Sequence, residues 1–128
     1  MKSKIIVAVI LAGLLIGLYK LFVSPSITNS PENNADIVIY WGIGCPHCEK
    51  VKEYIKTNQI DQKLKITLKE VYYNKKNQAD LQSTAKQCPA QDTSQGIGVP
   101  FAFVPSDKSC LVGDTPIINF FQQKLSIK

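Results

Sequence analysis

An apolar run near the N-terminus divides this chain into two parts that belong in different environments. Ile5 to Val23 is apolar apart from two glycines, a tyrosine and a lysine. A run of about 20 apolar residues is long enough to cross the hydrocarbon core of a membrane as a helix. Because Lys2 and Lys4 precede the run, the positive-inside rule predicts that the N-terminus is cytoplasmic. We therefore predict a transmembrane signal anchor over residues 1–23, in the cytoplasmic membrane, with the remainder of the chain outside the cytoplasm.

A cleaved signal peptide is the alternative interpretation of this segment. The residues after the run, Ser24-Pro25-Ser26-Ile27, contain no good small-residue cleavage site, which favours the uncleaved anchor. Residues 24–35 are rich in Ser, Pro and Asn without any apolar period, which is typical of a linker. Under both interpretations the domain over residues 36–128 lies where disulfides persist.

The charge of the chain argues against nucleic acid as a partner. All 15 basic residues are lysines, against 10 acidic residues. Three of the lysines lie in or beside the apolar run, so 12 remain for the rest of the chain and its net charge is only +2. Without arginine, the bidentate fork that reads phosphates and guanines is missing, and no basic stripe replaces it.

The rest of the chain alternates between strand-like and helix-like patterns. Strands are predicted by continuous or alternating apolar residues over 36–41, 63–68 with an extension over 71–73, 98–104 and 110–112. Helices are predicted by helical apolar spacing over 46–57 and 75–88, and after a cap at Asp114 or Thr115. The order predicts an α/β domain with a four-stranded mixed sheet, whose first half is a parallel unit and whose second half is a hairpin closed by a helix.

Two cysteines stand where the first strand passes through glycines into a helix. Cys45 is expected at the N-cap or first residue of that helix, where free backbone N–H groups and the helix dipole stabilise a thiolate. Pro46 suits the first helical position because the N–H that it lacks would be unpaired there. Cys48 shares an apolar stripe with Val51 and Ile55, so we expect it to be the more buried thiol. The spacing predicts that Cys45 is the attacking thiol and Cys48 the resolving thiol of a redox-active pair.

His47, between the two cysteines, is the only histidine in the chain. It can place positive charge and a hydrogen-bond donor near the thiolate, which would stabilise the reduced form and make the disulfide more oxidising. The alternative is an exposed helix residue without an electronic role.

The two cysteines also allow functions other than exchange. A zinc site needs about four ligands, and the isolated Cys88 and Cys110 are poorly spaced to complete one, so no metal site is predicted. A membrane-anchored metallochaperone that holds Cu(I) between Cys45 and Cys48 is one alternative. A non-enzymatic anchored scaffold, in which the pair only staples a helix, is the other.

The run from Tyr40 to Lys52, YWGIGCPHCEKVK, resembles the glutaredoxin-like branch of the thioredoxin superfamily. The dipeptide Pro46-His47 is similar to that of DsbA, the periplasmic disulfide oxidase. The resemblance covers about residues 36–128 and implies a minimal thioredoxin fold, β-α-β-α-β-β-α. It also implies a thiol–disulfide oxidoreductase that acts on cysteine-containing protein substrates, needs no cofactor, and is regenerated by a redox partner.

A second part of the resemblance lies at Gly98-Val99-Pro100. Members of the superfamily carry a cis-proline in the loop that faces the two cysteines, which implies a cis Val99–Pro100 bond. The backbone of Val99 would then pair with an extended substrate. Trp41 and Phe101 are candidates for apolar walls beside the sulfurs, with simple packing as the alternative. Gly113-Asp114 resembles the glutaredoxin position that helps to hold glutathione.

Three departures from the resemblance leave the redox direction open. Thioredoxins have a buried acid where this chain has Ile39, so that proton relay is missing. Many glutaredoxins have a lysine where this chain has Gly42, which weakens glutathione as a partner. The segment over 74–98 is too short for the helical domain that DsbA proteins insert.

The other two cysteines allow a second disulfide. Four cysteines permit three pairings, and if Cys45 pairs with Cys48, only Cys88 with Cys110 remains. Because free thiols are a liability in an oxidising compartment, a structural disulfide is favoured. The alternative is that both are small core residues.

Overall fold

The computed structural model describes Gly13, residues 34–88 and residues 96–126. Apart from Gly13, the predicted anchor lies outside the described residues, and so does the predicted linker as far as residue 33. Among the residues that are described, no helix is long and apolar enough to cross a membrane.

Strands and helices alternate along the described domain in the order β-α-β-α-β-β-α. The strands are β1 Ile37–Trp41, β2 Ile66–Glu70, β3 Phe101–Val104 and β4 Ser109–Val112. The α-helices are α1 Pro46–Thr57, α2 Lys75–Ala85 and α3 Asp114–Leu125, and a short 3₁₀ turn, Ile60–Gln62, lies between α1 and β2. The predicted α/β character and the predicted four-stranded mixed sheet are both confirmed.

The sheet has the strand order β2-β1-β3-β4. Strand β1 runs parallel to β2, with Ile37 opposite Ile66 and Trp41 opposite Glu70. Strand β3 is antiparallel to both of its neighbours. Since β1 is central, its residues from 37 to 40 are at most 1% exposed, as a continuous apolar run predicts.

The two faces of the sheet carry separate cores. Ile37 and Ile39 point to one face, where α1 and α3 cover them with Val51, Ile117 and Phe121. The alternate residues of β1 point to the opposite face and pack with residues of α2 and β3 (Val38, Tyr40, Leu81, Ala85 and Phe101). The domain therefore has three layers, and the carboxyl end of β1 leads directly into α1.

A small polar network lies within the core on the α2 side. The hydroxyl of the fully buried Tyr40 donates to Asp80 Oδ2 at 2.8 Å and lies 2.9 Å from Thr84 Oγ1. Lys69 of β2 forms an ion pair with the same Asp80 oxygen. The buried hydroxyl is thus satisfied, and it ties α2 to the centre of the sheet.

The second strand differs from its prediction at both ends. It begins at Ile66 instead of residue 63 and ends at Glu70, because it pairs residue for residue with the short β1. Residues 71–73 form a turn instead of extending the strand. The Glu70 carboxylate accepts the backbone N–H groups of Tyr72, Tyr73 and Asn74 at 2.6, 3.0 and 3.2 Å, which fixes that turn.

Other element ends also differ from the sequence prediction. Helix α2 ends at Ala85 instead of residue 88, and β3 begins at Phe101 instead of residue 98. The N-cap of α3 is Gly113, with no side-chain cap, and neither Asp114 nor Thr115 takes that position. Gly113 has a φ of 93°, a backbone conformation that glycine adopts readily, and its N–H donates to Pro100 O at 2.9 Å.

Candidate functional site

Cys45 is the N-cap of α1, as its position before Pro46 predicts. It has the extended backbone of an N-cap (φ −81°, ψ 113°), and its Sγ accepts the N–H of Cys48 at 3.3 Å. Its own N–H donates to Gly42 O at 3.2 Å, and Gly44 supplies the positive φ of the turn. The Cys45 sulfur therefore takes the place of the side-chain oxygen that usually caps a helix, at the end where an anion is favoured.

The sulfurs of Cys45 and Cys48 face each other at 2.6 Å, and both residues are free thiols. Cys48 is 1% exposed and Cys45 is 8% exposed, so Cys48 is the more buried thiol, as predicted. Burial raises the pKa of Cys48 to about 12, and its hydrogen bond to Cys45 adds to the effect. Cys48 thus remains a neutral donor to the Cys45 sulfur, and closing the pair into a disulfide bond of about 2.05 Å requires only a small movement.

The loop before β3 faces Cys45. The Val99–Pro100 bond is cis, and Val99 O accepts a hydrogen bond from the Cys45 thiol at 3.6 Å. Val99 is half-buried and Pro100 is fully buried. Since Pro100 O accepts the N–H of Gly113, this loop is also tied to the start of α3.

Tyr72, which the sequence did not identify, lies against Gly42 in the turn that leads to Cys45. Its ring packs against Gly42 so closely that a Cβ added at Gly42 would overlap it. The ring is half exposed, and so is the neighbouring Ile43. The sequence gives one signal for this contact, the glycine at position 42, which leaves room for a ring. The position of Tyr72 itself depends on the turn after β2, which the sequence does not predict.

A cavity of about 580 Å³ opens between Tyr72 and Val99. Its lining combines apolar side chains, such as Leu81 and Ile97, with polar ones, such as Gln78 and Lys86. A groove thus continues from the loop that faces Cys45 along the α2 side of the domain.

His47 points to the start of α3. Its Nδ1 lies 3.2 Å from Asp114 Oδ2, and Lys50 Nζ lies 3.3 Å from the same oxygen. The hydrogen bond from His47, and after it the one from Lys50, hold the pKa of Asp114 below its usual range. No local spacing in the sequence relates Asp114 to His47, since α1 and α3 are brought together only by packing on one face of the sheet.

The two aromatic candidates occupy different surroundings. Trp41 is half-buried at the carboxyl end of β1, and Lys52 Nζ lies 4.1 Å from the centre of its ring. Phe101 is fully buried on the α2 side, with its ring tilted against Tyr40 at 6.0 Å. Phe101 therefore has the packing role that the sequence left open as the alternative, because the alternation of β3 turns this side chain into the core.

Cys88 and Cys110 form a disulfide, the pairing that the sequence favours. Cys88 follows α2, Cys110 lies in β4, and their Cα atoms are 6.0 Å apart.

Ile39, at the position where thioredoxins have a buried acid, is packed in the core beneath α1. Within residues 34–88 and 96–126, no group of three His, Cys, Asp or Glu side chains is arranged to hold a metal ion.

Comparisons with protein-family models, with curated proteins and with solved structures find no match to this chain.

Proposed function

We propose that this protein is a thiol–disulfide oxidoreductase of minimal thioredoxin-like fold that acts through Cys45 and Cys48 on cysteine-containing protein substrates. The observation that carries the proposal is the surroundings of the Cys45 sulfur. It caps a helix, receives the Cys48 N–H and thiol, and faces the carbonyl of Val99. A disulfide that only stapled a helix would need neither the opposed loop nor a resolving thiol of raised pKa.

The reaction consists of two thiol–disulfide exchanges. The Cys45 thiolate attacks one sulfur of a substrate disulfide, forms a mixed disulfide and releases one substrate thiolate. The Cys48 sulfur then attacks the Cys45 sulfur, closes the Cys45–Cys48 disulfide and releases the second substrate thiolate. Two electrons pass to the substrate, which becomes a dithiol. One of its protons comes from Cys48, and the other, lost by Cys45 when it ionised, returns through the solvent. In reverse, the same steps oxidise a substrate dithiol.

The proton on Cys48 must leave during the second step. The pKa of Cys48 is raised to about 12, and Ile39 stands where thioredoxins have a buried acid, so no carboxylate at that position removes the proton. The departing substrate sulfur accepts this proton as the bond between Cys48 and Cys45 forms, so that Cys48 does not have to ionise on its own beforehand. Cys48 therefore remains protonated until a mixed disulfide has formed, which limits premature attack.

Substrate binding is supported by the surface around Cys45. The Val99 backbone offers an extended chain a β-like hydrogen-bond partner. Ile43 and Tyr72 add half-exposed apolar area, and the cavity beyond Val99 provides room for residues that flank the substrate cysteine. An extended polypeptide suits this groove better than a small thiol, in keeping with Gly42 in place of a glutathione-binding lysine.

The proposed location is the outer side of the cytoplasmic membrane. The apolar run over residues 5–23 supports anchoring there, and the Cys88–Cys110 disulfide suits an oxidising compartment. The anchor would keep the domain close to a second dithiol or disulfide protein in the membrane, which regenerates the Cys45–Cys48 pair.

The test is disulfide exchange by the full-length protein in detergent. We expect rapid exchange with a disulfide-bonded peptide, and reversible oxidation of Cys45 and Cys48 in glutathione buffers. Cys45→Ser should reduce exchange to the uncatalysed rate, while Cys88→Ala/Cys110→Ala keeps it. Tight Cu(I) binding that depends on Cys45, without exchange, would favour the metallochaperone instead. The measured potential decides the direction, since thioredoxin lies near about −270 mV and DsbA near about −120 mV.

A further inference from the structure

We infer that Asp114 is a positioning residue for this reaction: its carboxylate holds His47 towards α3 and keeps the Cys45–Cys48 disulfide less oxidising than a released His47 would make it. The inference rests on the proposed exchange function and adds a determinant of its redox direction.

The first observation is the fixed position of Asp114. It is the first residue of α3, directly after Gly113, whose N–H is bonded to Pro100 O. Its side chain is only 17% exposed, whereas the side chain of His47 is 62% exposed. The carboxylate is therefore the anchored member of the pair, and the imidazole is the member that can move.

The second observation is that two side chains from the first turns of α1 approach the Asp114 carboxylate. His47 and Lys50 lie 3.2 and 3.3 Å from the same carboxylate oxygen. The Cys45 sulfur is instead surrounded by the N–H and thiol of Cys48 and by Val99 O. Nδ1 of His47 thus lies against a carboxylate oxygen, on the side of α1 that faces α3.

The consequence for the redox potential follows from the charges. An imidazolium close to a thiolate stabilises the reduced form and makes the disulfide more oxidising. An imidazolium paired with a carboxylate acts on the thiolate as a dipole, whose field falls off faster than that of a single charge. Removing the carboxylate releases His47 and also deletes a negative charge, so both changes favour the thiolate.

The test is a double-mutant cycle on the equilibrium of Cys45–Cys48 with glutathione, in the full-length protein. Asp114→Asn should shift this equilibrium about three- to tenfold towards the dithiol, or about 15–30 mV. In a His47→Gln background, the same substitution should give less than half of that shift. An equal shift in both backgrounds would show that the carboxylate acts directly on the thiolate and would overturn the role of His47. An unchanged equilibrium in Asp114→Asn would overturn the inference altogether.

Matched variants separate the effect of the Asp114 carboxylate from a general change of charge and from poor folding. Glu53→Gln removes one negative charge from an exposed position of α1 and should leave the equilibrium unchanged. Asp114→Glu keeps the charge and should remain close to the parent protein. Asp114→Ser provides a second removal of the carboxylate if the Asn variant folds poorly. Failure of the proposed function is distinguishable, since Cys45 and Cys48 of the parent protein would then not exchange at all.

Discussion

The two cysteine pairs of this protein have similar sulfur chemistry in opposite surroundings. Cys45 and Cys48 are three positions apart, at the start of a helix, with apposed thiols and half-exposed apolar residues beside them. Cys88 and Cys110 are 22 positions apart and already joined, between the end of α2 and an edge strand. Cys45 of the first pair is bonded to Val99, which lines a cavity, whereas Cys88 of the second pair belongs to the core on the α2 side.

The difference shows how loop length decides what a disulfide does. Closing a long loop removes much of the conformational freedom of the unfolded chain, so it stabilises the fold. A disulfide that closes a loop of only two intervening residues removes little of that freedom. Forming or breaking it therefore changes the stability of the fold far less. A disulfide that must form and break repeatedly is therefore suited to the short spacing. A disulfide that must persist is suited to the long spacing.

The largest expected effect separates the two members of the first pair. In Cys48→Ser, Cys45 still attacks a substrate disulfide, but no thiol resolves the product, so turnover stops and a mixed disulfide accumulates. Mass spectrometry of the acid-quenched reaction detects this covalent adduct. The matched control, Cys45→Ser, should form no adduct, and an adduct of equal yield in that variant would contradict the assignment of the attacking thiol.

The next largest effect is the contribution of the second pair to the stability of the fold. Cys88→Ala/Cys110→Ala should lower the free energy of unfolding by about 3 kcal/mol, the chain-entropy estimate for a loop of this length. Urea unfolding of the parent and double variant gives the difference, and exchange activity should stay within about threefold if the comparison between the pairs is sound. If both thiols can be alkylated in the denatured but unreduced protein, the disulfide does not form.

The smallest effect is a pH dependence that only the first pair should show. Because the pKa of Cys48 is raised to about 12 in the folded, reduced protein, the unfolded chain loses this proton first as the pH rises. The stabilising contribution is complete below the usual thiol pKa of about 8.5 and declines as the pH rises towards 12. The urea midpoint of the reduced protein should fall over this range more steeply than that of Cys48→Ser. Parallel curves would show that Cys48 does not retain its proton.

Local rules explain the parts of this structure that the sequence predicts well. Helix α1 has the predicted bounds, Pro46 to Thr57, because a proline, a capping cysteine and an apolar stripe all act within one segment. The burial of Cys48 follows from the same stripe. The order of elements and the central position of β1 follow from period and composition, which need no tertiary information.

Contacts between distant segments account for the parts that it does not predict. Tyr72 reaches Gly42 because Glu70 folds the chain back after β2, and strict alternation before that point gives no sign of the turn. Asp114 reaches His47 because two helices share one face of the sheet. For Phe101 the sequence leaves both a wall beside the sulfurs and simple packing open, and the alternation of β3 places the side chain in the core.

The disulfide between Cys88 and Cys110 also determines how this protein would behave after proteolysis. Val99, Pro100 and the whole of β3 lie in the segment between the two cysteines. A single cut anywhere in that segment leaves both fragments covalently joined, so the nicked protein migrates as one molecule until it is reduced. Two bands that appear only after reduction would therefore reveal damage that an unreduced gel conceals.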